Sequence, residues 1–519
     1  MMASPQIILL LIFVWVATCI FQRLFFHPLS HVPGPRLAAV SRLYGFYYNV
    51  FGEGYSKQFS GLHERYKSSV IRISPDAVHV NDPDFYQMVF ASKTNYRKDP
   101  QFYHALDGKG VLLGITDDQQ YRSYRAHMSP LFSVRFTADL APTVMLELKR
   151  MSGFLEKRKA AGMPVEIQSV YRAFTPVISQ SDVTCQSLLG HSLDFMAFSP
   201  EGTRFMEATK QLQKAVWLVI QFPSVMSLFN YLPAHINAIL SPELTWFNKH
   251  CANWFEQARE NRKNGIEVVP KRFFDISLDV HSSSDPKLKD IVSPVADAYN
   301  LLAAGMDTTS YNLSCATFFL LDSPHCLSRL QNELAQAGIT SLDSMDLKKI
   351  QNLPYLVGHL QLRNAGCRFT NCDTLQTAVI KESLRLSTGQ PGFLPRVVPS
   401  EGAHIGSTFI PGGVKITITS QVVQLDPKIF PEPLVFRPER WLDNKSLDRW
   451  HVGFSKGPRK CIGMNLANLQ LYSCLAYIFA RYDMQLFKTD KRSLEWVDSL
   501  IAQTVGPPIN VKILKDRWE

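Results

Sequence analysis

Phe454-Ser-Lys-Gly-Pro-Arg-Lys-Cys-Ile-Gly463 is a glycine-rich stretch around one cysteine, Cys461. A thiolate that binds a metal must lose its proton and be shielded from water. Gly457 and Gly463 allow backbone N–H groups to approach the sulfur, and a helix expected from Met464 points its positive end at the same atom. The stretch therefore predicts a shielded thiolate that can serve as a metal ligand, with Phe454 packed over it.

A buried, inert cysteine in an ordinary turn is the alternative interpretation, but five specified positions within ten residues argue against it. Phe454-x-x-Gly457-x-Arg459-x-Cys461-x-Gly463 resembles the haem-binding signature of the cytochrome P-450 family. The resemblance implies haem b, with Cys461 as the axial ligand of its iron and Arg459 beside a haem propionate. It also implies a mainly α-helical fold with a minor β-sheet, built as one large catalytic domain.

An acid and a threonine lie within an apolar helical run from about 295 to 321, which reads Ala-Gly-Met-Asp-Thr-Thr at 304–309. This segment is similar to the family's oxygen-activation segment. The similarity implies that Thr308 hydrogen-bonds oxygen or holds a water, while Asp307 relays protons. The alternative is a solvated Asp307 and a Thr308 that bonds its own helix backbone.

Glu382 and Arg385 lie three residues apart on a predicted helix, and Arg440 follows in the segment Pro-Glu-Arg-Trp at 438–441. The two segments resemble the family's E-x-x-R helix and its downstream P-E-R segment. The resemblance implies a buried network in which bidentate arginine–carboxylate pairing fixes the segment before the cysteine loop. A plain surface pair is the alternative at this spacing.

Two further basic segments resemble the family's propionate contacts. Arg125 ends the segment Tyr-Arg-Ser-Tyr-Arg at 121–125 and matches the arginine of a W-x-x-x-R pattern, in which Tyr121 replaces the tryptophan. Arg396 follows Leu-Pro at 394–395, where the family has another such arginine. Ordinary surface charge is the alternative for both arginines.

The N-terminus carries a nearly unbroken apolar run at 7–21, followed by Gln22 and Arg23. Its length approaches the roughly 20 residues that a spanning helix needs, and the basic side predicts that the rest of the chain stays in the cytosol. We expect a membrane anchor at 1–23, a proline-rich hinge at 24–50 and a catalytic domain at 51–519. A cleaved signal peptide is the alternative, but the run lacks a charged n-region and a clear cleavage site.

The remaining sequence fits a large helical protein. Most segments from 55 to 390 have helical periodicity, and alternating stretches predict a hairpin at 69–80 and a strand at 414–419. The net charge of +10 comes without a run of Lys and Arg, which favours acidic lipid or an acidic protein partner over nucleic acid. Nine scattered cysteines without a C-x-x-C pair argue against a disulfide framework and a zinc site.

Residues 357–376 depart from the family's pattern, in which Leu356 would run almost directly into Thr377. These twenty residues lack helical periodicity and include Cys367 and Cys372, and a structureless loop of this length is unusual inside a compact domain. Valine codons begin with GT, and a glutamine codon can end in AG. We therefore interpret 357–376 as a spurious insertion, a translated intron; a tolerated surface insertion is the alternative.

The resemblance covers roughly residues 28–510, and the hinge at 27–35 is similar to that of fungal enzymes of the trichodiene-oxygenase-like group. It implies a monooxygenase of the endoplasmic reticulum membrane that takes electrons from an NADPH-dependent flavoprotein reductase. The substrate would be an apolar small molecule, a terpenoid or polyketide of secondary metabolism, that is hydroxylated or epoxidised. A haem-thiolate isomerase or dehydratase and an inactive haem-binding protein are the alternatives.

The substrate pocket is expected to draw on 101–116, 208–235, the Asp307 helix, 391–398 and 501–508. Aromatic side chains in or near these ranges would make the pocket apolar, although simple core packing is the favoured interpretation for any single one of them: Phe102, Trp217, Phe222, Phe229 and Phe393.

Overall fold

The computed structural model describes residues 5–107, 110–180, 195, 199–224, 233–266, 271–285, 288, 293–351, 353, 355 and 378–519. Helices dominate these residues, and the strands form small separate sheets. The predicted fold class, mainly α with a minor β component behind an apolar N-terminal helix, is therefore confirmed. The proposed insertion at 357–376 lies outside the described residues.

The helices are, in chain order, α1 Pro5–Phe21, α2 Arg36–Val40, α3 Leu43–Phe51, α4 Phe59–Tyr66, α5 Pro83–Val89, α6 Pro100–Asp107, α7 Asp118–Met128, α8 Val134–Asp139, α9 Ala141–Ala160, α10 Ile167–Gln180, α11 Pro200–Gln221, α12 Ala234–Leu240, α13 Pro242–Lys263, α14 Phe273–His281, α15 Pro294–Leu321, α16 Pro324–Gln336, α17 Leu347–Ile350, α18 Ala378–Ser387, α19 Gln421–Gln424, α20 Arg440–Asp443 and α21 Met464–Arg481.

The strands are β1 Val70–Ser74, β2 Ala77–Val80, β3 Arg97–Lys98, β4 Val165–Glu166, β5 Arg396–Val397, β6 Ala403–Ile405, β7 Thr408–Ile410, β8 Lys415–Thr417, β9 Tyr482–Leu486, β10 Trp496–Ser499, β11 Ile501–Thr504 and β12 Asn510–Asp516. Among the described residues they form four sheets, with strand orders β1-β2-β8-β5-β3, β4-β12-β9, β6-β7 and β10-β11. The predicted hairpin is the antiparallel β1–β2 pair, with Val70 opposite Val80. The predicted strand at 414–419 contains β8, which runs parallel to β2.

The long helix α15 is the centre of the core. It packs against α10, α13, α18 and α21, and its C-terminal half is buried almost completely, as Leu313 and Phe318 illustrate. Each such side chain stabilises the fold by about 1.5–3 kcal/mol relative to exposure. Since α15 carries Asp307 and α21 begins just after Cys461, the same packing fixes two parts of the candidate site.

The N-terminal helix stands apart from this core. Every residue of α1 is at least partly exposed, and the helical stretch 5–26 contains an 18-residue window with a mean hydropathy of 2.3, so it is long and apolar enough to cross a membrane. Residues 24–50, expected to form a stiff hinge, include α2, α3 and side chains packed into the domain. Leu29 is fully buried, and the Arg72 amide donates to the Pro33 carbonyl at 2.7 Å. Much of this segment is therefore attached to the β1 edge of the large sheet.

Candidate active site

The loop before α21 places the Cys461 sulfur beside the backbone amide of Gly463. The Cys461 amide donates to the Phe454 carbonyl at 3.0 Å, which closes the loop, and Phe454 packs against the main core. The Cys461 side chain is exposed to the open cavity, yet the dense protein around the sulfur raises the pKa of the thiol, while a hydrogen bond from the Gly463 amide and the charge of Arg125 oppose that rise. Both opposing effects favour the thiolate. Its side chain lines an internal cavity, so the sulfur can reach a ligand placed there.

Gly457 serves the loop differently from the sequence-based expectation. Its φ is +68°, and a Cβ at this position would lie 2.4 Å from the Phe90 carbonyl oxygen. The need for glycine therefore arises from a left-handed backbone pressed against the chain at Phe90 and Ala91. The expected contact of its amide with the sulfur is replaced by this packing, whereas Gly463 makes such a contact.

Arg459 lies beside the cysteine loop, with its side chain almost entirely surrounded by protein. Its guanidinium pairs with Asp118 at 2.7 Å, donates to the Ile115 carbonyl at 2.9 Å, and lies 3.6 Å from the centre of the Tyr121 ring. Burial lowers the pKa of Arg459, and Asp118 opposes that change. Sequence reasoning missed Asp118, which is far from the cysteine loop in the chain.

Arg125 and Arg396 are two further cations of the site: Arg125 lines the cavity of Cys461, and Arg396 lines a second, more polar cavity. Arg125 donates to the Tyr121 hydroxyl and to the Lys460 carbonyl at 2.8 Å, so Tyr121 acts as an acceptor here. Arg396 is 4% exposed and donates to the Tyr103 hydroxyl at 2.7 Å. A buried arginine with this partner is not ordinary surface charge, the alternative considered above.

The donor set of the site suits a haem. A thiol opens onto a largely apolar cavity, and three side chains, Lys98, Tyr121 and Arg459, line both that cavity and a neighbouring polar one. A planar apolar ring bearing two carboxylates would match this arrangement, with its metal at Cys461 and its carboxylates near the cations. The residues present therefore fit the group that the family implies.

The cavity above Cys461 measures about 330 Å³. Its walls come from four of the five expected ranges, while 391–398 contribute no lining residue. The aromatic lining prediction is wrong for the four described aromatic residues. Phe102, Trp217 and Phe393 form a core cluster with Leu500, Phe222 packs on Phe46, and Phe229 lies outside the described residues. Aliphatic residues are the largest group among the described lining residues around Cys461, with examples in Leu112, Leu113, Leu212, Val216, Val219, Leu301, Ala304 and Ile501.

Asp307 and Thr308 lie on α15 but face different surroundings. Ala303 and Ala304 of the same helix line the cavity. The Thr308 hydroxyl donates to the Ala304 carbonyl at 2.7 Å, which is the backbone bond of the alternative interpretation. Asp307 is 9% exposed and pairs with Arg172 at 2.8 Å, so it is not a solvated surface acid.

Glu382, Arg385 and Arg440 come together in the interior. Arg385 donates two hydrogen bonds to the Glu382 carboxylate, at 2.8 and 2.9 Å, and Arg440 donates one at 3.0 Å. Trp441 adds a fourth, from Nε1 at 2.9 Å, which sequence reasoning missed. Arg385 also bonds the carbonyl of Pro433. The network therefore joins α18 to the irregular segment that precedes the cysteine loop, and it is buried rather than a surface pair.

Comparison with known proteins agrees with this geometry. The family model for cytochrome P-450 matches residues 36–360 and 374–509. The chain is 40% identical over 500 residues to cytochrome P-450 monooxygenase phqM of Penicillium fellutanum, which covers 95% of this chain and 88% of that protein. It is 36% identical to cytochrome P-450 monooxygenase cloA of Claviceps purpurea, covering 95% and 92%. A third relative, 34% identical with 95% and 92% covered, is named inactive cytochrome P-450 monooxygenase cloA of Claviceps fusiformis.

The matched ranges include every motif described above, from the arginines of α7 to the cysteine loop. The family implies a haem iron held by a cysteine thiolate, and the relatives named as monooxygenases are oxidoreductases. The chain belongs to the cytochrome P-450 family and is a monooxygenase.

Proposed function

We propose that this protein hydroxylates or epoxidises an apolar small molecule, using haem b at Cys461 and electrons from an NADPH-dependent flavoprotein reductase. The observation that supports the proposal most strongly is the shared cavity of Cys461 and α15. The thiol, Arg125, Arg459 and the aliphatic walls border the same space of about 330 Å³, while Arg396 lines the neighbouring polar cavity. A substrate held there would lie next to both the metal ligand and the helix that carries Asp307.

When bound, haem would supply reductive activation of O₂. The protein's own residues would have three tasks. The Gly463 amide and Arg125 favour the thiolate form of Cys461, and the cations at 125, 396 and 459 would bind the propionates. Asp307 and Thr308 would move protons toward the cavity.

The residues that line the cavity at Cys461 indicate the class of substrate. Aliphatic side chains on α11 and α15 favour burial of hydrocarbon surface. Apart from the cations and two tyrosines, the polar wall residues are Thr209, Gln213, Asp297, Asn300 and Ser499. The named relatives come from fungi. A terpenoid or polyketide of fungal secondary metabolism fits both facts.

We further propose that α1 anchors the protein in the endoplasmic reticulum membrane with the catalytic domain in the cytosol. Residues 5–26 have the length and hydropathy of a spanning helix, and Arg23 at its end favours the cytosolic side. The net charge of +10 would assist encounter with an acidic reductase or with anionic lipid.

Cys461→Ser tests the proposal, with Cys19→Ser as a matched control because Cys19 lies in α1, outside the catalytic domain. We expect the wild type and Cys19→Ser to show the long-wavelength absorption band of a reduced thiolate–CO complex, and to consume NADPH when reductase is added. Cys461→Ser should lose both. Retention of that band and of full NADPH-dependent turnover in Cys461→Ser would overturn the proposal.

An inactive product is the second candidate, and two observations favour it. One relative is named inactive, and the family model leaves residues 361–373 unmatched, within the proposed insertion. The same spectrum and the NADPH assay together distinguish the candidates, because an inactive product would fail to develop the thiolate–CO band or would develop it without reductase-dependent turnover.

A further inference from the structure

Three metal-ligating side chains meet at the start of α16, outside the candidate active site. His325 and Cys326 are adjacent in the first turn of that helix, and Glu439 lies just before α20. One imidazole nitrogen, the Sγ atom and one carboxylate oxygen all lie within 4.8 Å of one another. The sequence alone predicted no zinc site, because Glu439 is far from the other two residues in the chain and joins them only through tertiary packing.

The group combines a protected ligand with an open one. Cys326 is 6% exposed, the Glu439 side chain is 19% exposed, and His325 is exposed. His325 also lines a surface cavity of about 420 Å³, together with Tyr355. An ion can therefore enter from solvent at His325 and reach a sulfur that the protein shields.

The chemistry of the ligands selects the metal. Ca²⁺ and Mg²⁺ prefer sets of oxygen ligands, whereas thiolate, imidazole and carboxylate are the three ligand types of zinc sites. Tetrahedral zinc needs these atoms about 3.4–3.6 Å apart. Rotation of the exposed His325 side chain can supply the remaining approach, and water from the cavity can take the fourth position.

We propose that His325, Cys326 and Glu439 bind one Zn²⁺ ion. On binding, the Cys326 thiol releases its proton to solvent, and the sulfur, the imidazole and the carboxylate each donate an electron pair to the ion. The thiolate and the carboxylate together balance the charge of Zn²⁺. No oxidant or reductant is needed, because the metal keeps its oxidation state.

The ion joins two parts of the fold that are distant in the chain. Glu439 is next to Arg440 and Trp441, which both donate to the buried Glu382 carboxylate, at 3.0 and 2.9 Å. A metal bond from Glu439 to Cys326 therefore ties α16 to the segment that holds this network. Bound zinc should stabilise the folded protein, since the unfolded chain does not hold the three ligands together.

Arg329 is the competitor of the ion. Its guanidinium lies 3.3 Å from the Glu439 carboxylate and 4.6 Å from the centre of the Tyr355 ring. Arg329 is 45% exposed, so this ion pair contributes little to stability. Glu333 lies four residues further along α16 and lines the same surface cavity. The guanidinium can therefore turn toward a second acid when zinc takes Glu439.

The test uses the haem-loaded, full-length protein, treated with a chelator and then titrated with Zn²⁺ alone. Elemental analysis measures zinc per chain, and competition with a zinc-sensitive dye measures affinity. We expect one tightly bound zinc per chain, with one sulfur ligand at about 2.3 Å in X-ray absorption at the zinc edge, where haem iron does not interfere. Zinc at about a hundredfold excess over its Kd should raise the thermal midpoint by about 3 °C.

Cys326→Ser and His325→Asn should each weaken zinc binding by at least about tenfold. The matched controls are Cys19→Ser in α1 and His404→Asn at an exposed position of β6, and both should bind zinc as the wild type does. Arg329→Gln should bind zinc about two- to fivefold more tightly, because the competing guanidinium is gone. Adventitious binding at other cysteines or histidines would not produce this gain.

Absence of a tightly bound zinc from the wild type would overturn the inference. So would wild-type affinity in His325→Asn together with an unchanged sulfur ligand in Cys326→Ser. Because His325 is exposed, its replacement leaves the core intact and decides the question even if Cys326→Ser disturbs folding. All these measurements report bound zinc rather than turnover, so their outcome is independent of the proposed function.

Discussion

The cysteine loop requires glycine at position 457, because any larger side chain there would be strained. Alanine there would adopt an unfavourable φ of +68° and press its Cβ to 2.4 Å from the Phe90 oxygen. Strain and overpacking together should cost roughly 2–4 kcal/mol. We predict that Gly457→Ala lowers both the thermal unfolding midpoint and the haem content per chain.

Gly406→Ala is the matched control for this prediction. Gly406 also has positive φ, +57°, but nothing lies within 4 Å of the Cβ that alanine would add. Its cost should be the backbone strain alone, about 1–2 kcal/mol, with haem content unchanged. Equal losses in both variants would show that contact with the Phe90 backbone contributes nothing.

For single residues, the sequence predicts which side chains carry the site's chemistry but not which residues they contact. Cys461 and Asp307 are predictable because each lies in a short motif with its own spacing. Arg172 and Gln213 are separated from Asp307 by 135 and 94 residues, and no local pattern marks them. The hydrogen bond of Trp441 could not be predicted for another reason. A tryptophan indicates burial, whereas packing decides the direction of its N–H.

Among the elements, α4, β2 and the end of β8 meet at a pair of buried histidines. His63 bonds the Ser68 carbonyl through Nδ1 and His79 through Nε2, at 2.6 and 2.7 Å, and His79 Nε2 faces the Thr419 amide at 3.4 Å. Each contact can be satisfied when both rings are neutral, with His79 donating to His63. Protonation of either ring would oppose two donors inside the core.

We predict that this pair makes the fold sensitive to acid. Burial lowers the pKa of His63, and it lowers that of His79 well below the usual value. Unfolded histidines take up protons near pH 6.5, so the free energy of unfolding is unaffected above that pH. It should fall below it, by up to about 1.4 kcal/mol per pH unit for each histidine. Urea unfolding at pH 7 and pH 5 measures the difference.

The variants for this measurement are His79→Gln and His404→Gln. The first should weaken the pH dependence, although it also destabilises the protein at pH 7 by breaking the pair. The second changes an exposed residue of β6 and should keep the dependence of the wild type. If His79→Gln retains the full loss of stability between pH 7 and pH 5, the acid sensitivity arises elsewhere.

Elements with a strong local signal were predictable. Apolar and polar residues alternate in the sequence of the hairpin β1–β2, on both sides of a turn that contains a proline. The helices α15 and α21 have long apolar runs with clear beginnings. Residues 24–50 were harder, because prolines indicate where a helix stops but not what the chain then packs against. Their place in the fold depends on Leu29, which packs in an apolar cluster with Val70, and on the hydrogen bond from Arg72 to Pro33, and tertiary structure alone creates both contacts.

For the whole molecule, the open question is the chain between α17 and α18. On one side the Tyr355 hydroxyl donates to Glu439 at 3.0 Å. On the other, Ala378 belongs to the same apolar cluster as Trp441. Both flanks of residues 357–376 thus lie against one short stretch around 439–441, which also carries Arg440 of the Glu382 network.

Because the flanks are already neighbours, a chain without 357–376 should close this gap with little rearrangement, and a shorter connection costs less chain entropy to close. We predict that deletion of 357–376 preserves the fold, raises haem content per chain and raises the thermal midpoint. Replacement of the segment by a Gly/Ser linker of equal length separates the effect of length from that of sequence. Two results would contradict the intron interpretation: a deletion variant that loses haem, or a mature transcript whose major form keeps codons 357–376.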